Sequence, residues 1–178
     1  MALIEMKHLT KVFRSGRLGS RAHTAVDDVS LTIGPGETYG LMGESGCGKS
    51  TLGRMITCLL PATSGQVLYD GRDLLRVGKR ELHPYRRRVQ MLFQHPDTSL
   101  NPRMTVARLI AEPMVIHGVG DRAYREKRVL ELLDRVKLSA SSANRYPHEF
   151  SGGQRQRIGI ARALALEPKI ILCDEPVS

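Results

Sequence analysis

The sequence contains no tryptophan, and aromatic residues make up only 4% of its 178 residues. A core built from this chain must therefore be mainly aliphatic, and few rings are available for stacking on nucleic-acid bases. No apolar run approaches the ~18–20 residues that a membrane-spanning helix needs. The first residues also lack the basic and then apolar pattern of a secretory signal. We therefore expect the chain to stay in the cytoplasm.

Cysteine is scarce, and its spacing is uninformative. Cys47, Cys58 and Cys173 lie far apart and fit neither a disulfide framework nor a metal-ligand pattern, which predicts reduced thiols. Basic residues exceed acidic ones by 27 to 18, giving a net charge of +9. The arginines are spread along the chain, and the one tight run, 86–88, favours a solvated helix face over a nucleic-acid patch.

The main functional motif lies at residues 43–51 and fits the phosphate-loop pattern G-x-x-x-x-G-K-[ST]. Residues 38–42 before it predict a short buried strand, and residues 51–60 after it predict a helix that Pro61 stops. Glycines let backbone N–H groups turn toward an anion, and the helix adds its own N–H groups and positive dipole end. An accidental glycine-rich turn is the alternative, which the flanking elements disfavour. The predicted phosphate-binding residues are Gly43, Glu44, Ser45, Gly46, Cys47, Gly48, Lys49, Ser50 and Thr51.

Charged and hydroxyl groups suited to nucleotide chemistry accompany the loop. Lys49 would reach the β- and γ-phosphates, and the Ser50 hydroxyl would hold Mg²⁺. Asp174 follows the apolar residues 170–173, as expected at the carboxyl end of a buried parallel strand, where ligands of open α/β sheets bind. Its carboxylate could hold Mg²⁺ beside Ser50, and Glu175 could polarise an attacking water. The alternative is that both acids cap a strand end.

Residues 151–154 have two physical interpretations. Ser151 and Gln154 have the spacing of a capping box at a helix start. Gly152 and Gly153 would expose N–H groups and a positive dipole end to an approaching phosphate. Because glycine costs about 1 kcal/mol against alanine in a helix, two in the first turn indicate that something approaches the backbone closely.

The remaining pattern predicts an α/β fold. The N-terminal third predicts antiparallel strands, with a turn at 34–37 and a hairpin turn at Asp70-Gly71. A helix is predicted around 79–88 and a buried strand over 89–94. Residues 95–169 then predict a helical insert that precedes a second strand of the same sheet, with Asp121 as a helix cap. The predicted core faces of this insert comprise Val106, Leu109 and Ile110, then Val129, Leu130, Leu133 and Val136, then Ile158, Ala161 and Leu164.

The phosphate loop, Gln94, the motif at 151–154 and the Asp174-Glu175 pair, in this order and spacing, resemble the nucleotide-binding subunit of an ABC transporter. The resemblance covers nearly the whole chain. Segments 94–105, 145–164 and 173–178 are similar to the oligopeptide, dipeptide and nickel importer ATPases within that family.

This resemblance implies a P-loop NTPase (RecA-like) parallel sheet core with an antiparallel β subdomain and an inserted α-helical subdomain. Residues 1–94 would form the nucleotide-binding core, 95–169 the helical signature subdomain, and 170–178 a strand returning to the core. The family pattern continues past Ser178 with an Asp-containing loop and a strand ending in His. We therefore expect the chain to be C-terminally truncated and its sheet to be incomplete.

The resemblance also implies a function. The chain would be an ATPase, with ATP and Mg²⁺ as cofactors, that powers import of peptides or a similar small solute. Its partners would be membrane-spanning permease subunits and a second ATP-binding subunit, at the inner face of the cell membrane, without nucleic acid. The alternatives are a truncated, non-catalytic nucleotide-binding fragment and a soluble ABC ATPase that acts on nucleic acid.

Roles for individual residues follow from the same resemblance. Gln94 would contact Mg²⁺ or the attacking water, unless it is simply a polar strand terminus. Lys49 and Glu175 would also take part in catalysis. Phe13 would stack on adenine, unless it is simply a core aromatic. Ser151, Gly152, Gly153 and Gln154 would face the γ-phosphate bound by a second copy. Two departures from the family pattern are Phe150, where Leu is usual, and His95, where relatives often have Asp.

Overall fold

The structure is a computed structural model that describes residues 3–15, 21–92 and 99–174. The chain divides into two compact units, residues 1–83 and 84–178. The domain boundaries expected from the family resemblance, at residues 94 and 169, stay a prediction.

The first unit contains a four-stranded antiparallel sheet with the strand order β2-β1-β3-β4. This confirms the antiparallel portion predicted for the N-terminal third. Its strands are β1 (Ile4–Ser15), β2 (Arg21–Ile33), β3 (Ser64–Tyr69) and β4 (Arg72–Asp73).

A bulge in β1 determines which of its side chains enter the core. Ile4 and Met6 are buried on alternate positions, as a strand requires, but the next buried residue is Leu9 rather than His8. His8 has a left-handed backbone (φ 50°), and the pairing register with β3 shifts between Lys7 and Thr10. The extra residue reverses the alternation, so that Leu9 lies inside and His8 stays exposed.

The hairpin between β3 and β4 turns at Asp70 and Gly71, as predicted. Both residues have positive φ, 50° and 78°, which is the geometry of a type I′ turn. Tyr69 and Arg72 form the last pair before the turn. The predicted turn at residues 34–37 is also present, closed by a hydrogen bond from the Glu37 N–H to the Gly34 carbonyl at 3.4 Å.

Helix α1 (Lys49–Ile56) is shorter than the sequence predicts. Cys58 adopts a left-handed conformation (φ 53°), which ends the helix before Pro61 is reached. The Leu59 N–H then donates to the Arg54 carbonyl and the Cys58 N–H to the Met55 carbonyl, the two bonds of a Schellman motif.

The buried strand predicted at residues 38–42 is wrong. Residues 37–44 have no regular secondary structure, and Tyr39, Leu41 and Met42 are all exposed. An extended apolar segment becomes a strand only where a neighbouring strand supplies backbone partners. The antiparallel sheet of this unit does not include the segment.

Helix α2 (Lys79–Arg88) confirms the helix predicted there. It begins after Gly78, whose N–H donates to the Glu81 carboxylate at 3.0 Å. Residues 86–88 are exposed at its end, as the predicted solvated face requires.

In the second unit, the sequence of the helices lies between two strands. β5 (Val89–Leu92) and β6 (Ile170–Cys173) pair in parallel, with Val89 opposite Ile170 and Leu92 opposite Cys173. Between them in the sequence lie α3 (Val106–Ile116), α4 (Arg122–Arg135) and α5 (Gly152–Leu164), with two short 3₁₀ helices, Ala140–Asn144 and Pro147–Glu149. This arrangement confirms a helical insert between two strands of one sheet.

The helical core contains most of the predicted residues, with one correction. Asp121 caps α4 as expected, since its carboxylate accepts the Tyr124 N–H at 2.8 Å. Leu130, however, is 48% exposed, whereas Leu132 is fully buried. At 100° per residue, Leu132 lies within about 60° of Val129 around the helix, while Leu130 lies about 100° away. The prediction for Leu130 was therefore wrong.

Candidate functional site

The loop at residues 43–50 joins the exposed segment 37–42 to α1 through two left-handed glycines. Gly46 has φ 81° and Gly48 has φ 98°. A Cβ at Gly48 would lie 2.1 Å from the carbonyl oxygen of Ala25 in β2, so no other residue fits there. A Cβ at Gly46 would meet nothing within 4 Å, which leaves that backbone open to approach from outside.

The ammonium group of Lys49 lies back over the loop. Its Nζ donates to the carbonyl oxygens of Gly43 and Glu44, both at 2.7 Å, and lies 3.8 Å from the Cys47 sulfur. The first turn of α1 carries no acidic residue, and no side chain caps its N-terminus. A lysine ammonium and an uncapped positive helix end therefore coincide, which is an arrangement that attracts phosphate.

Of the three predicted magnesium ligands, two lie within the described residues. Ser50 is in the first turn of α1 and is half-buried. Asp174 directly follows β6, and its N–H donates to the Leu92 carbonyl at 3.0 Å. Gln94 and the catalytic candidate Glu175 lie outside the described residues. Within ranges 3–15, 21–92 and 99–174, no cluster of three or more His, Cys, Asp and Glu side chains could hold a metal ion.

Phe13 lies near the end of β1 and is not a core residue. Its side chain is 41% exposed, and the Lys11 ammonium lies 5.2 Å from the ring centroid. The same ammonium donates to the Pro61 carbonyl at 2.6 Å. The core alternative for Phe13 is thereby excluded, while its stacking on adenine stays a prediction.

The capping box predicted at residues 151–154 is present. The Ser151 N–H donates to the Gln154 side-chain oxygen at 2.9 Å, and the Gln154 N–H donates to the Ser151 hydroxyl at 3.3 Å. Gly152 and Gly153 are exposed, and a Cβ at either would meet nothing within 4 Å. Packing within the described chain therefore does not require these glycines, which favours an external group approaching the backbone.

A family model described as ABC transporter matches residues 26–178. The chain belongs to the ABC transporter family. The resemblance drawn from its motifs is thereby confirmed.

The relatives of this ABC transporter chain include peptide-transport proteins. It is 54% identical to the oligopeptide transport ATP-binding protein OppF of Bacillus subtilis (strain 168), over 99% of this chain and 57% of the relative. It is 50% identical to the dipeptide transport ATP-binding protein DppF of Lactococcus lactis subsp. cremoris (strain MG1363), over 99% of this chain and 57% of the relative. The chain spans about half the length of the curated relatives it matches.

Solved ABC cassettes share the fold of this ABC transporter chain. It matches the ATP-binding cassette MJ0796 in a dimeric post-hydrolysis state bound to ADP and Pi, with a TM-score of 0.88 and 36% identity over 98% of this chain and 74% of that one. A second dimeric structure of MJ0796, called a bacterial ABC transporter cassette, gives 0.88 and 37% over 97% and 74%. The predicted P-loop NTPase fold is therefore confirmed.

Several arginine side chains of this ABC transporter chain donate hydrogen bonds to backbone carbonyls of the same chain. The sequence did not predict these contacts. On α5, Arg155 donates to the Phe150 carbonyl, Arg157 to the Lys137 carbonyl, and Arg162 to the Ser99 carbonyl at 2.9 Å. Arg162 also pairs with Glu112 of α3 at 2.8 Å. Part of the positive charge thus stabilises the helical unit.

A second group missed by the sequence analysis lies immediately before the capping box. The guanidinium of Arg145 lies 4.5 Å from the ring centroid of Phe150 and donates to both the carboxylate and the carbonyl of Glu149. The spacing of Arg145 and Glu149, four residues apart, was the available signal. A spacing of four residues indicates an ion pair within a helix, whereas these two residues precede a predicted helix.

No helix among residues 3–15, 21–92 and 99–174 combines the length and the apolar character needed to cross a bilayer.

Proposed function

We propose that this chain binds and hydrolyses ATP as the nucleotide-binding subunit of a transporter that imports peptides or a similar small solute. The loop at 43–50 carries the proposal, because it places the Lys49 ammonium 2.7 Å from two loop carbonyls at the uncapped start of α1. The solute class follows the names of the relatives, which are oligopeptide and dipeptide transport proteins.

The loop residues bind the phosphates in this proposal. The backbone N–H groups of Gly43 to Thr51 surround the β-phosphate, and Lys49 exchanges its two carbonyl partners for oxygens of the β- and γ-phosphates. The exchange is favourable because a negatively charged phosphate oxygen is a stronger acceptor for an ammonium than a neutral carbonyl. Phe13 stacks on the adenine, for which its exposed ring is available.

The donors proposed for magnesium fit that ion. A serine hydroxyl at Ser50, a carboxylate at Asp174 and an amide oxygen at Gln94 are oxygen ligands, which Mg²⁺ prefers. A bound magnesium ion neutralises charge on the phosphates. Glu175 orients the attacking water and accepts its proton as the water oxygen bonds to the γ-phosphorus and the bond from that phosphorus to the ADP oxygen breaks, and Gln94 contacts the same water.

A second copy completes the site. Ser151, Gly152, Gly153 and Gln154 of one subunit face the γ-phosphate bound by the other, through the N–H groups that the two glycines leave open. The dimeric state of the cassette MJ0796 supports this arrangement. The further partners are membrane-spanning permease subunits, which place the chain on the inner face of the cell membrane.

Nucleotide binding is tested by titration calorimetry of Mg-ATP on the full chain, with ADP as competitor. We expect K49A to lose binding, because no other side chain of the loop supplies a cation. R54A is the matched control, since Arg54 is an exposed cation on the same helix, α1, and should leave binding unchanged. No heat with the unmodified chain would overturn the proposal.

Hydrolysis is tested by phosphate release. Glu175→Gln should keep ATP bound while turnover stops, because the amide cannot accept the proton of the water. Equal turnover in the variant and the unmodified chain would show that Glu175 has another role. Binding without turnover in the unmodified chain would favour the alternative of a non-catalytic nucleotide-binding fragment.

A further inference from the structure

The start of α5 has two backbone donors available to a ligand. The capping box uses the N–H groups of Ser151 and Gln154. The N–H groups of Gly152 and Gly153 lie at helix positions that have no intrahelical acceptor, and neither donates to any described residue. A phosphate could accept from both only if the backbone at this point is held in one orientation.

Glu149 closes the short 3₁₀ helix that leads into this start. Its carboxylate accepts the Tyr146 N–H at 2.6 Å and the Arg145 Nε–H at 3.3 Å. The hydrogen bond from the Tyr146 backbone, and then the neighbouring Arg145, lower the pKa of this carboxyl below its ordinary value. The carboxylate is therefore ionised in the folded chain at neutral pH.

Arg145 contacts Glu149 within this turn and contacts the helical core in two places, through its guanidinium and through its own carbonyl. Its guanidinium donates to the Glu149 carbonyl at 2.6 Å and lies 4.5 Å from the ring centroid of Phe150. Phe150 is 5% exposed and belongs to the core shared by α3, α4 and α5. The Arg145 carbonyl accepts the Val106 N–H, at the first residue of α3, at 2.9 Å. One residue thus fixes both positions that precede Ser151.

We propose that Arg145 is a positioning residue that orients the N-terminus of α5 to receive a phosphate held by a second copy of the chain. The inference rests on the proposed function. Arg145 acts through Glu149 and Phe150 and does not itself touch the nucleotide. A planar guanidinium is required, because it stacks on the ring and donates in two directions at once, which a lysine ammonium does not do.

The first experiment measures amide hydrogen exchange over residues 149–155 in the full chain. We expect R145A to raise the exchange rate there about tenfold, since the turn loses its anchor. R122A is the matched control, because Arg122 forms an exposed pair with Glu126 at 2.8 Å, also four residues apart, on α4. Unchanged exchange in R145A, or an equal increase in R122A, would overturn the positioning role.

The second experiment separates binding from turnover. R145A should lower kcat for ATP hydrolysis about tenfold, because the misplaced donors face the γ-phosphate of the other copy. The Kd for Mg-ATP should be unchanged, because the chain's own phosphate loop is intact. R145K should recover only part of kcat. Faster exchange with unchanged kcat would refute the functional part of the inference.

Two further comparisons keep the outcomes distinct. If circular dichroism shows that R145A is unfolded, R145K and E149Q test the positioning role instead, because both retain most of the side-chain volume. We expect their exchange rates to lie between those of the unmodified chain and those expected for R145A. Unchanged exchange in both would overturn the inference. If the unmodified chain releases no phosphate, the proposed hydrolysis fails, while the exchange measurement still decides whether Arg145 orients the start of α5.

Discussion

The Cα of Gly48 lies so close to β2 that an added Cβ would come within 2.1 Å of the carbonyl oxygen of Ala25. The phosphate loop thus packs directly against β2, a strand of the antiparallel sheet. Gly48 is needed for two independent reasons, its left-handed backbone (φ 98°) and the absence of space for any side chain.

Gly48 and Gly46 form a pair in which these two reasons can be separated. G46A should lower the free energy of unfolding by about 1–2 kcal/mol, the cost of a left-handed alanine, since a Cβ there meets nothing within 4 Å. G48A should cost more than this, because the loop must also move away from Ala25. Urea denaturation measures the free energy of unfolding of both variants. Equal losses would show that the loop can move away from Ala25 with little loss of stability.

Cys47 should report occupancy of the loop. Its thiol is exposed and lies 3.8 Å from the Lys49 ammonium, so that bound phosphates would cover it. We expect Mg-ATP to slow its alkylation by N-ethylmaleimide, measured by mass spectrometry. Cys58 is the internal reference, because it lies just past the C-terminal end of α1, and Mg-ATP at the other end of this helix should leave its alkylation rate unchanged. Equal labelling of Cys47 with and without ATP would contradict this prediction.

Two leucines on α4 test the packing of the helical unit. L133A should lower the free energy of unfolding by about 2–5 kcal/mol, because Leu133 is fully buried and its removal leaves a cavity. L130A should change it by no more than about 0.5 kcal/mol, because Leu130 is 48% exposed. Chemical denaturation distinguishes them, and comparable losses would show that Leu130 is buried in solution.

Glu149 should make stability depend on pH. Its pKa is lowered in the folded chain, chiefly by the Tyr146 N–H, so the unfolded chain binds the proton more tightly. The stabilisation is therefore present above the unfolded-state pKa and is lost as the pH falls through the folded-state pKa. E149Q should be less stable than the unmodified chain at neutral pH and equal to it in acid. Urea midpoints measured over this range check the sign, with E126Q as control.

Features determined by neighbouring residues could be predicted from the sequence. The phosphate loop, the Asp70-Gly71 turn and the capping box at 151–154 each depend on a few consecutive residues whose backbone preferences and hydrogen bonds are local. The Asp121 cap is of the same kind. The candidate site was found from such motifs, since its main parts are loops and helix starts.

Features that depend on distant partners could not be predicted. The bulge at His8 lies against Gly65, where an added Cβ would be 2.3 Å from the His8 carbonyl oxygen. The residues next to His8 in the sequence do not indicate this bulge. Residues 38–42 have the composition of a strand, but they do not pair with any strand of the antiparallel sheet. The contact of Arg145 with Phe150 requires an intervening 3₁₀ turn, which periodicity does not reveal.

The pairing of Val89 with Ile170 has a consequence for the order of folding. Every residue of the helical core lies between these two positions in the chain, so β5 leaves the ribosome long before its partner exists. Bringing β5 and β6 together closes a long loop and therefore lowers the entropy of the chain. The few hydrogen bonds of the short β5–β6 ladder do not offset this loss by themselves. We therefore expect the three helices to collapse first and bring the ends together, with the parallel pair closing as the last event.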